Sequence, residues 1–430
     1  MAHLVRVVLL LCAAAPVGGA PPGSGYLPAA GRFWHITDLH LDPSYHLSPD
    51  PTKVCYSSKG APATHAGPFG DFLCDSPYAL IQSAFAHMAP LTRPQDFIIW
   101  TGDSPPHVPA GELSTDAVVQ VIGNMTQTIR QHFPNLTVYP ALGNHDYWPQ
   151  DQMPDSSNAI YEAAAQLWKP WLQPEALLTL SQGGFYSQLA KPGLRVLSLN
   201  TILYYGPNRA TENVTDPAGQ FRWLEATLQK AARSREKAGV RHRSRTCGVP
   251  ALRQGHPRRE GAPQRAAGRH LQGAQRRRRG TFLRPHPPGQ RHGAAGPTRQ
   301  TADFSFRVTG RHADQTRGGA VLQQPGAPRL PDLWQYFLNL TEANEKQRAD
   351  WRLEYIMTEA FGLSDLRPAR LLQLGLSFLL PPADAFRRYF AHFMVSYDSG
   401  AACEGECKLL QVCAVMHLDR RAYSRCVAGG

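Results

Sequence analysis

Between Arg32 and Asn200, short apolar runs alternate with longer stretches of helical period, and three of the runs end in a polar cluster. The runs Phe33–Thr37, Phe97–Thr101, Thr137–Leu142 and Leu194–Leu199 are brief, apolar and bounded by turn formers, which predicts strands. Helical period predicts helices over Tyr78–Met88, Thr115–Gln131 and Ser157–Leu172, and again over Ala218–Arg235. Such alternation favours an α/β core around a largely buried sheet. Beyond Pro331 the pattern becomes helical, with helices expected over Glu345–Phe361, Pro368–Leu379 and Asp384–Phe393 and a small disulfide-bonded helical cap in the last forty or so residues.

The polar clusters are Asp38-Leu39-His40, Gly102-Asp103 and Gly143-Asn144-His145-Asp146, each just after a predicted strand. Loops at the carboxyl ends of strands in an open α/β sheet gather at one crevice, so the three clusters should meet. Carboxylate, imidazole and amide oxygen together suit zinc, manganese or iron. Any one of these clusters is usually only a turn; the three in this order argue for a metal site.

The order Asp-X-His, Gly-Asp, Gly-Asn-His-Asp resembles the calcineurin-like metallophosphoesterases. The longer words Phe33–Asp42, Trp100–His107 and Ala141–Pro149 resemble the acid sphingomyelinase family within them. The resemblance covers about Gly31–Arg235 and Leu333–Cys426. It implies a sandwich of β-sheets flanked by helices, with a helical disulfide-bonded C-terminal subdomain. It also implies a phosphodiesterase that hydrolyses phosphodiester or pyrophosphate bonds by a two-metal hydroxide mechanism, with two zinc ions about 4 Å apart. Asp38 and His40 would bind the first zinc, Asp103 would bridge both, and Asn144 would bind the second. His145 would protonate the leaving oxygen or stabilise the transferring group, and His107 would face the phosphate. Within the family's range, nucleotides and related small molecules are the expected substrates. There is no room before Trp34 for the lipid-extracting domain of acid sphingomyelinase, which weighs against sphingomyelin.

The family requires three further metal-binding histidines, in words like Ala-His-Val-Pro and Gly-His-X-His, and neither word is present. Both should fall between Gly239 and Pro331. That segment holds 19 Arg, no Lys and 3 acidic residues, a local charge of 19 − 3 = +16, so the rest of the chain carries 12 − 16 = −4. With no helical or two-residue period it is expected to be disordered as written. Codons that can encode Gly239–Pro250, read one base later, spell Val-Tyr-Val-Ile-Ala-His-Val-Pro, so the segment reads as coding sequence translated out of frame. A chain lacking those ligands is expected to hold metal weakly and to turn over slowly. The arginines, Arg276–Arg279 among them, lack interleaved aromatics, so a nucleic-acid partner is not expected. A non-catalytic secreted binding protein on the same fold is the alternative, as is a sphingomyelin phosphodiesterase.

Residues 1–20 read as a signal peptide, with Arg6, an apolar run from Val7 to Ala15, and small residues before Pro21. No later run reaches the ~18 apolar residues of a membrane span, and no hydrophobic tail closes the sequence, so no stable anchor is expected. The domain plan is thus 1–20 leader, 31–238 metallophosphoesterase domain, 239–331 anomalous segment and 332–430 C-terminal subdomain. Of eight cysteines, Cys12 lies in the leader and Cys247 in the anomalous segment. The other six admit about fifteen connectivities. Proximity and the family resemblance imply Cys55–Cys74, Cys403–Cys407 and Cys413–Cys426. Sequons at Asn124, Asn135, Asn213 and Asn339 fit a glycosylated secreted or lysosomal protein, expected to be a monomer acting on small molecules.

Overall fold

A computed structural model describes residues 6–13, 31–234, 237–243, 329–393, 402–417 and 420–429. Its first strand, β1 (Arg6–Ala13), lies inside the main sheet. Next come β2 (Gly31–Thr37), α1 (Tyr78–Leu91), β3 (Phe97–Trp100), α2 (Thr115–His132) and β4 (Val138–Pro140). β2, β3 and β4 are parallel neighbours, and Ile36, Trp100 and Pro140 stand abreast across them. The three chains therefore leave the sheet at one level. Trp34, Ile36, Ile98, Ile99, Trp100 and Val138 are buried, as the apolar runs require of strands covered on both faces. Ser114 caps α2 by accepting from the Ala117 amide, and the helix sets Val118, Ile122, Met125 and Ile129 against the sheet at helical spacing.

After β4 the helix predicted over Ser157–Leu172 is shorter. It forms α3 (Ala159–Trp168), with the Asn158 side chain accepting from the Ile160 and Tyr161 amides. Two elements that the sequence reading lacks follow, α4 (Pro174–Gly183), opened by Pro174, and β5 (Tyr186–Lys191). β5 pairs antiparallel with β6 (Leu194–Leu199), and α5 (Gln220–Arg233) leads to β7 (Lys237–Arg243), parallel to β6. This three-stranded sheet faces the six-stranded one: the Tyr186 hydroxyl on β5 donates to the Pro140 carbonyl on β4 at 2.8 Å. Two β-sheets flanked by helices are thus present, as the family resemblance implies.

Three boundaries need correction. The segment expected to be disordered from residue 239 to 331 forms strand at both ends, in β7 and in β8 (Arg329–Phe337); residues 244–328 lie outside the described residues. β8 joins the main sheet, so the C-terminal part is not wholly helical. The helix expected over Glu345–Phe361 is instead α6 (Leu340–Lys346), β9 (Arg352–Ile356) and α7 (Met357–Phe361). Asn339 caps α6 five residues earlier than expected, Gln347 ends it in a left-handed conformation, and Leu353 and Tyr355 then pair with β8. The rest follows expectation in α8 (Pro368–Ser377), α9 (Asp384–Phe393), α10 (Gly405–Met416) and α11 (Arg420–Ala428). These helices enclose a second apolar core around Leu333, Leu374, Phe378 and Phe386. The structure forms the disulfides Cys55–Cys74, Cys403–Cys407 and Cys413–Cys426.

The main sheet runs β4-β3-β2-β1-β8-β9, with β1 antiparallel to both neighbours. The apolar run read as a leader, expected to stand outside the folded domain, therefore bridges β2 and β8. A short, largely apolar run can satisfy the backbone groups of two open strand edges at once. A chain cut after Ala20 would lack this strand and leave a gap one strand wide between β2 and β8.

Candidate active site

The three loops leaving β2, β3 and β4 are laced by backbone hydrogen bonds. Asp38 donates its amide to the Gly102 carbonyl, His40 to that of Asp103 and Leu41 to that of Ser104. The buried Asp146 carboxylate then accepts the amides of Gly143 at 2.6 Å, Asp103 at 2.7 Å and Ser104 at 3.0 Å, tying the third loop to the second. Room is made by two glycines. Gly102 has φ +82°, and a Cβ on Gly143 would collide with the Asp103 carboxylate. Asp38, His40 and Asp103 themselves sit at φ +52°, +38° and +57°. Left-handed conformations at three non-glycine residues are costly, and such strain gathers at functional sites.

These loops bring Asp38, His40 and Asp103 together, all buried, with one ligand atom of each within 4.8 Å of the others. His40 Nδ1 donates to the Pro105 carbonyl at 2.8 Å, which fixes the tautomer and leaves Nε2 toward Asp38, 3.6 Å from its Oδ1. Asn144 is buried beside them, and its amide nitrogen donates to Asp151 at 2.9 Å. Burial and the neighbouring Asp38 charge push the Asp103 carboxyl up to about 8. Burial alone would lower the His40 imidazole, but its hydrogen bond to Asp38 and the charges of Asp103 and Asp75 raise it to about 9. The Asp103 carboxyl, raised by burial and buried together with Asp38 against an orientated imidazole, fits a divalent cation, whose charge would offset that of the carboxylates.

A second cluster overlaps the first. His145 and His107 meet edge to face, their ring centroids 4.1 Å apart, and both lie against His40, at 4.9 and 4.2 Å. The His145 amide donates to Asp103 Oδ1 at 2.9 Å, and the Gln150 amide nitrogen is 3.1 Å from His145 Nε2. Asp75 accepts both the backbone amide of His107 and its Nδ1, the latter at 3.1 Å. Burial, with the His40 charge next, holds the His107 imidazole down to about 2.

Of the six residues expected at the site, Asp38, His40, Asp103, His107 and His145 lie in these two overlapping groups, and Asn144 is buried next to His145 in the chain. Sequence reasoning gave no role to Asp75, Asp146 and Gln150. Asp146 stood in the Gly-Asn-His-Asp word, whereas nothing local to Asp75 marks it as a partner of a residue 32 positions on. Of the sequon asparagines, Asn124, Asn135 and Asn213 are exposed, while Asn339 is half-buried and caps α6. Among the described residues, no further histidine joins the cluster, and no helix is long and apolar enough to cross a membrane.

Sequence comparisons agree with this geometry. The calcineurin-like phosphoesterase family matches residues 31–253, and the acid sphingomyelin phosphodiesterase C-terminal region matches residues 324–430. The chain is 47% identical over 416 residues to cyclic GMP-AMP phosphodiesterase SMPDL3A of Mus musculus, covering 93% of this chain and 92% of that protein. It is 36% identical to the acid sphingomyelinase-like phosphodiesterase 3b of Mus musculus, over 93% of this chain and 90% of the relative. It is 30% identical to sphingomyelinase phosphodiesterase C of Dictyostelium discoideum, over 92% of each. The chain thus belongs to the calcineurin-like phosphoesterase family, in the group that joins this domain to an acid sphingomyelinase C-terminal region.

Proposed function

We propose that the chain hydrolyses small nucleotide phosphodiesters or pyrophosphates with zinc at Asp38, His40 and Asp103, in an oxidising compartment outside the cytosol. The observation that carries the reading is the buried Asp38–His40–Asp103 cluster at the ends of two parallel strands. Imidazole with carboxylate suits zinc, and three disulfides suit secretion or a lysosome. A nucleotide substrate is supported by the names of the relatives that cleave cyclic GMP-AMP. A divalent ion in this cluster supplies Lewis acidity toward a phosphoryl oxygen and acidifies water.

The chain's own groups account for the rest. Asp103 and His40 are held by the loop lacing, so no reorganisation is needed when charge develops on the phosphoryl group. His107 is neutral, with Nδ1 committed to Asp75, so Nε2 is its proton-accepting atom. His145, packed against both other rings, carries the proton for the leaving oxygen. A second ion would have Asp103 and Asn144 but no further histidine among the described residues, so no step is assigned to it. That shortage favours the second reading, a non-catalytic binding protein on the same scaffold. In it the leader, the sequons and the out-of-frame origin of residues 239–331 would stand unchanged.

Purified full-length chain saturated with zinc should cleave cyclic GMP-AMP and bis(p-nitrophenyl) phosphate slowly, as the missing histidines require, yet in preference to sphingomyelin vesicles. Asp38→Asn should lose at least about 100-fold in kcat/KM together with bound zinc. Zinc binding without turnover of any of the three compounds would favour the binding protein; faster cleavage of sphingomyelin would replace the nucleotide assignment.

A further inference from the structure

Residues 42–75 form a strap beside the loop that follows β2, with a small core of their own, made of Val54, Cys55, Ala63 and Cys74 with Tyr45 and Ala66 against it. The Cys55–Cys74 disulfide lies in that core, one residue before Asp75. We propose that the strap is a positioning element: its disulfide holds Asp75 so that Asp75 fixes the ring of His107 over the reacting atoms. This rests on the phosphodiesterase reading of the site.

A continuous set of contacts carries the argument. The Asp42 carboxylate, four residues past Asp38, accepts the amide and hydroxyl of Ser44 on one oxygen and those of Ser57 on the other. The same Ser57 hydroxyl oxygen accepts the Asp75 amide at 2.8 Å. Asp75 then takes both donors of His107 on its buried carboxylate. Two further bonds join the strap to the metal loop, from the Asp42 amide to the Ser76 carbonyl and from the Ser76 amide to the His40 carbonyl, both at 3.0 Å. The metal loop, strap and His107 are therefore one hydrogen-bonded unit.

The far side of the strap is gripped from the C-terminal region. The Asn344 side chain accepts the Phe69 amide at 3.0 Å and donates to the Gly70 carbonyl at 2.9 Å, like a strand neighbour. Gly67 is required there, since a Cβ would collide with Asn344. Tyr45 donates its hydroxyl to the Gly67 carbonyl at 2.7 Å. Asp75 itself has no covalent tie but its own chain and Cys74. If a dithiol reduces Cys55–Cys74 to two thiols, itself becoming the disulfide, the strap core loses its cross-link and Asp75 its fixed position. Asp38, His40 and Asp103 are held in addition by the amide–carbonyl bonds between the strand-end loops and keep theirs.

The test uses the full-length, oxidised chain with bis(p-nitrophenyl) phosphate, zinc content per chain, and side-chain 15N NMR of histidine. Asp75→Asn is expected to lower kcat at least about tenfold, with KM within about twofold and zinc unchanged. It should also abolish the hydrogen-bonded Nδ1–H signal of His107, and Asp75→Glu should recover part of both. Cys55→Ser/Cys74→Ser should repeat the kcat loss, while Cys413→Ser/Cys426→Ser should lower stability without it. The imidazole signal needs no turnover, so a chain inactive toward every phosphodiester still decides the inference. Wild-type kcat or an unchanged His107 signal in Asp75→Asn overturns it. So does a joint fall of kcat and zinc content, which would make Asp75 a merely structural residue.

Discussion

Gly143 shows how little freedom the site leaves at a single position. Its Cα faces the Asp103 carboxylate, so the methyl of Gly143→Ala must displace either the loop or that carboxylate. The substitution should cost about 1–3 kcal/mol and weaken zinc binding about 10- to 100-fold, as loss of a ligand's support generally does; calorimetric metal titration of the variant checks this. His35, three residues before Asp38, provides a pH dependence of stability. It is half-buried on β2, with Nε2 2.9 Å from the Thr101 hydroxyl, and desolvation of the ring, partly offset by the Asp38 charge, lowers its pKa from 6.5 to about 4. The folded chain keeps the ring neutral while the unfolded chain takes a proton below pH 6.5. Its stabilisation is present above pH 6.5 and lost as pH falls toward 4, by up to about 3 kcal/mol. Urea denaturation at a series of pH values should show that slope in the wild type and a flatter one in His35→Gln. At this scale the meeting of Asp38, His40 and Asp103 was legible, because metal coordination needs particular donors right after particular strands. Asp75 was not, because a hydrogen bond across 32 residues leaves no local period or motif.

Among the elements, the three strand-end loops behave as one piece because Asp146 accepts three amides from two of them. Asp146→Ala would leave these buried donors unsatisfied and should destabilise the chain by about 3 kcal/mol or more, at about 1–3 kcal/mol per donor. Chemical denaturation, with zinc content alongside, measures it, and Asp146→Asn, which keeps one acceptor oxygen, should fall between. The elements that sequence reasoning found most closely are those with a clear period or a fixed start. β6 and α9 match residue for residue, and α2 differs at its end by one position. The failure over Glu345–Phe361 has a physical cause. Helix propensity there is ordinary, but β8 presents an open edge, and pairing with it stabilises Arg352–Ile356 as a strand.

For the whole molecule the decisive strand is β1, which joins the half of the sheet carrying the site to β8 and β9. It lies outside both matched family regions, which begin at residues 31 and 324. A chain starting at Pro21 loses this bridge, so it should melt below the full-length chain by roughly 5 °C or more, and a peptide of sequence Arg6–Ala13 should restore part of the difference in scanning calorimetry. Equal melting of the two chains would mean that another segment fills the gap. The sequence by itself determined the α/β alternation, the metal-binding words at the strand ends and the family they belong to. Local periodicity and ligand chemistry are written in adjacent residues. Only the tertiary structure decided that Arg6–Ala13 spans β2 and β8, that β8 and β9 join the main sheet, and that Asp75 and the Cys55–Cys74 strap stand behind His107. Each of these depends on which unsatisfied edge or donor lies within reach once the chain has folded, and that is a property of contacts distant in sequence.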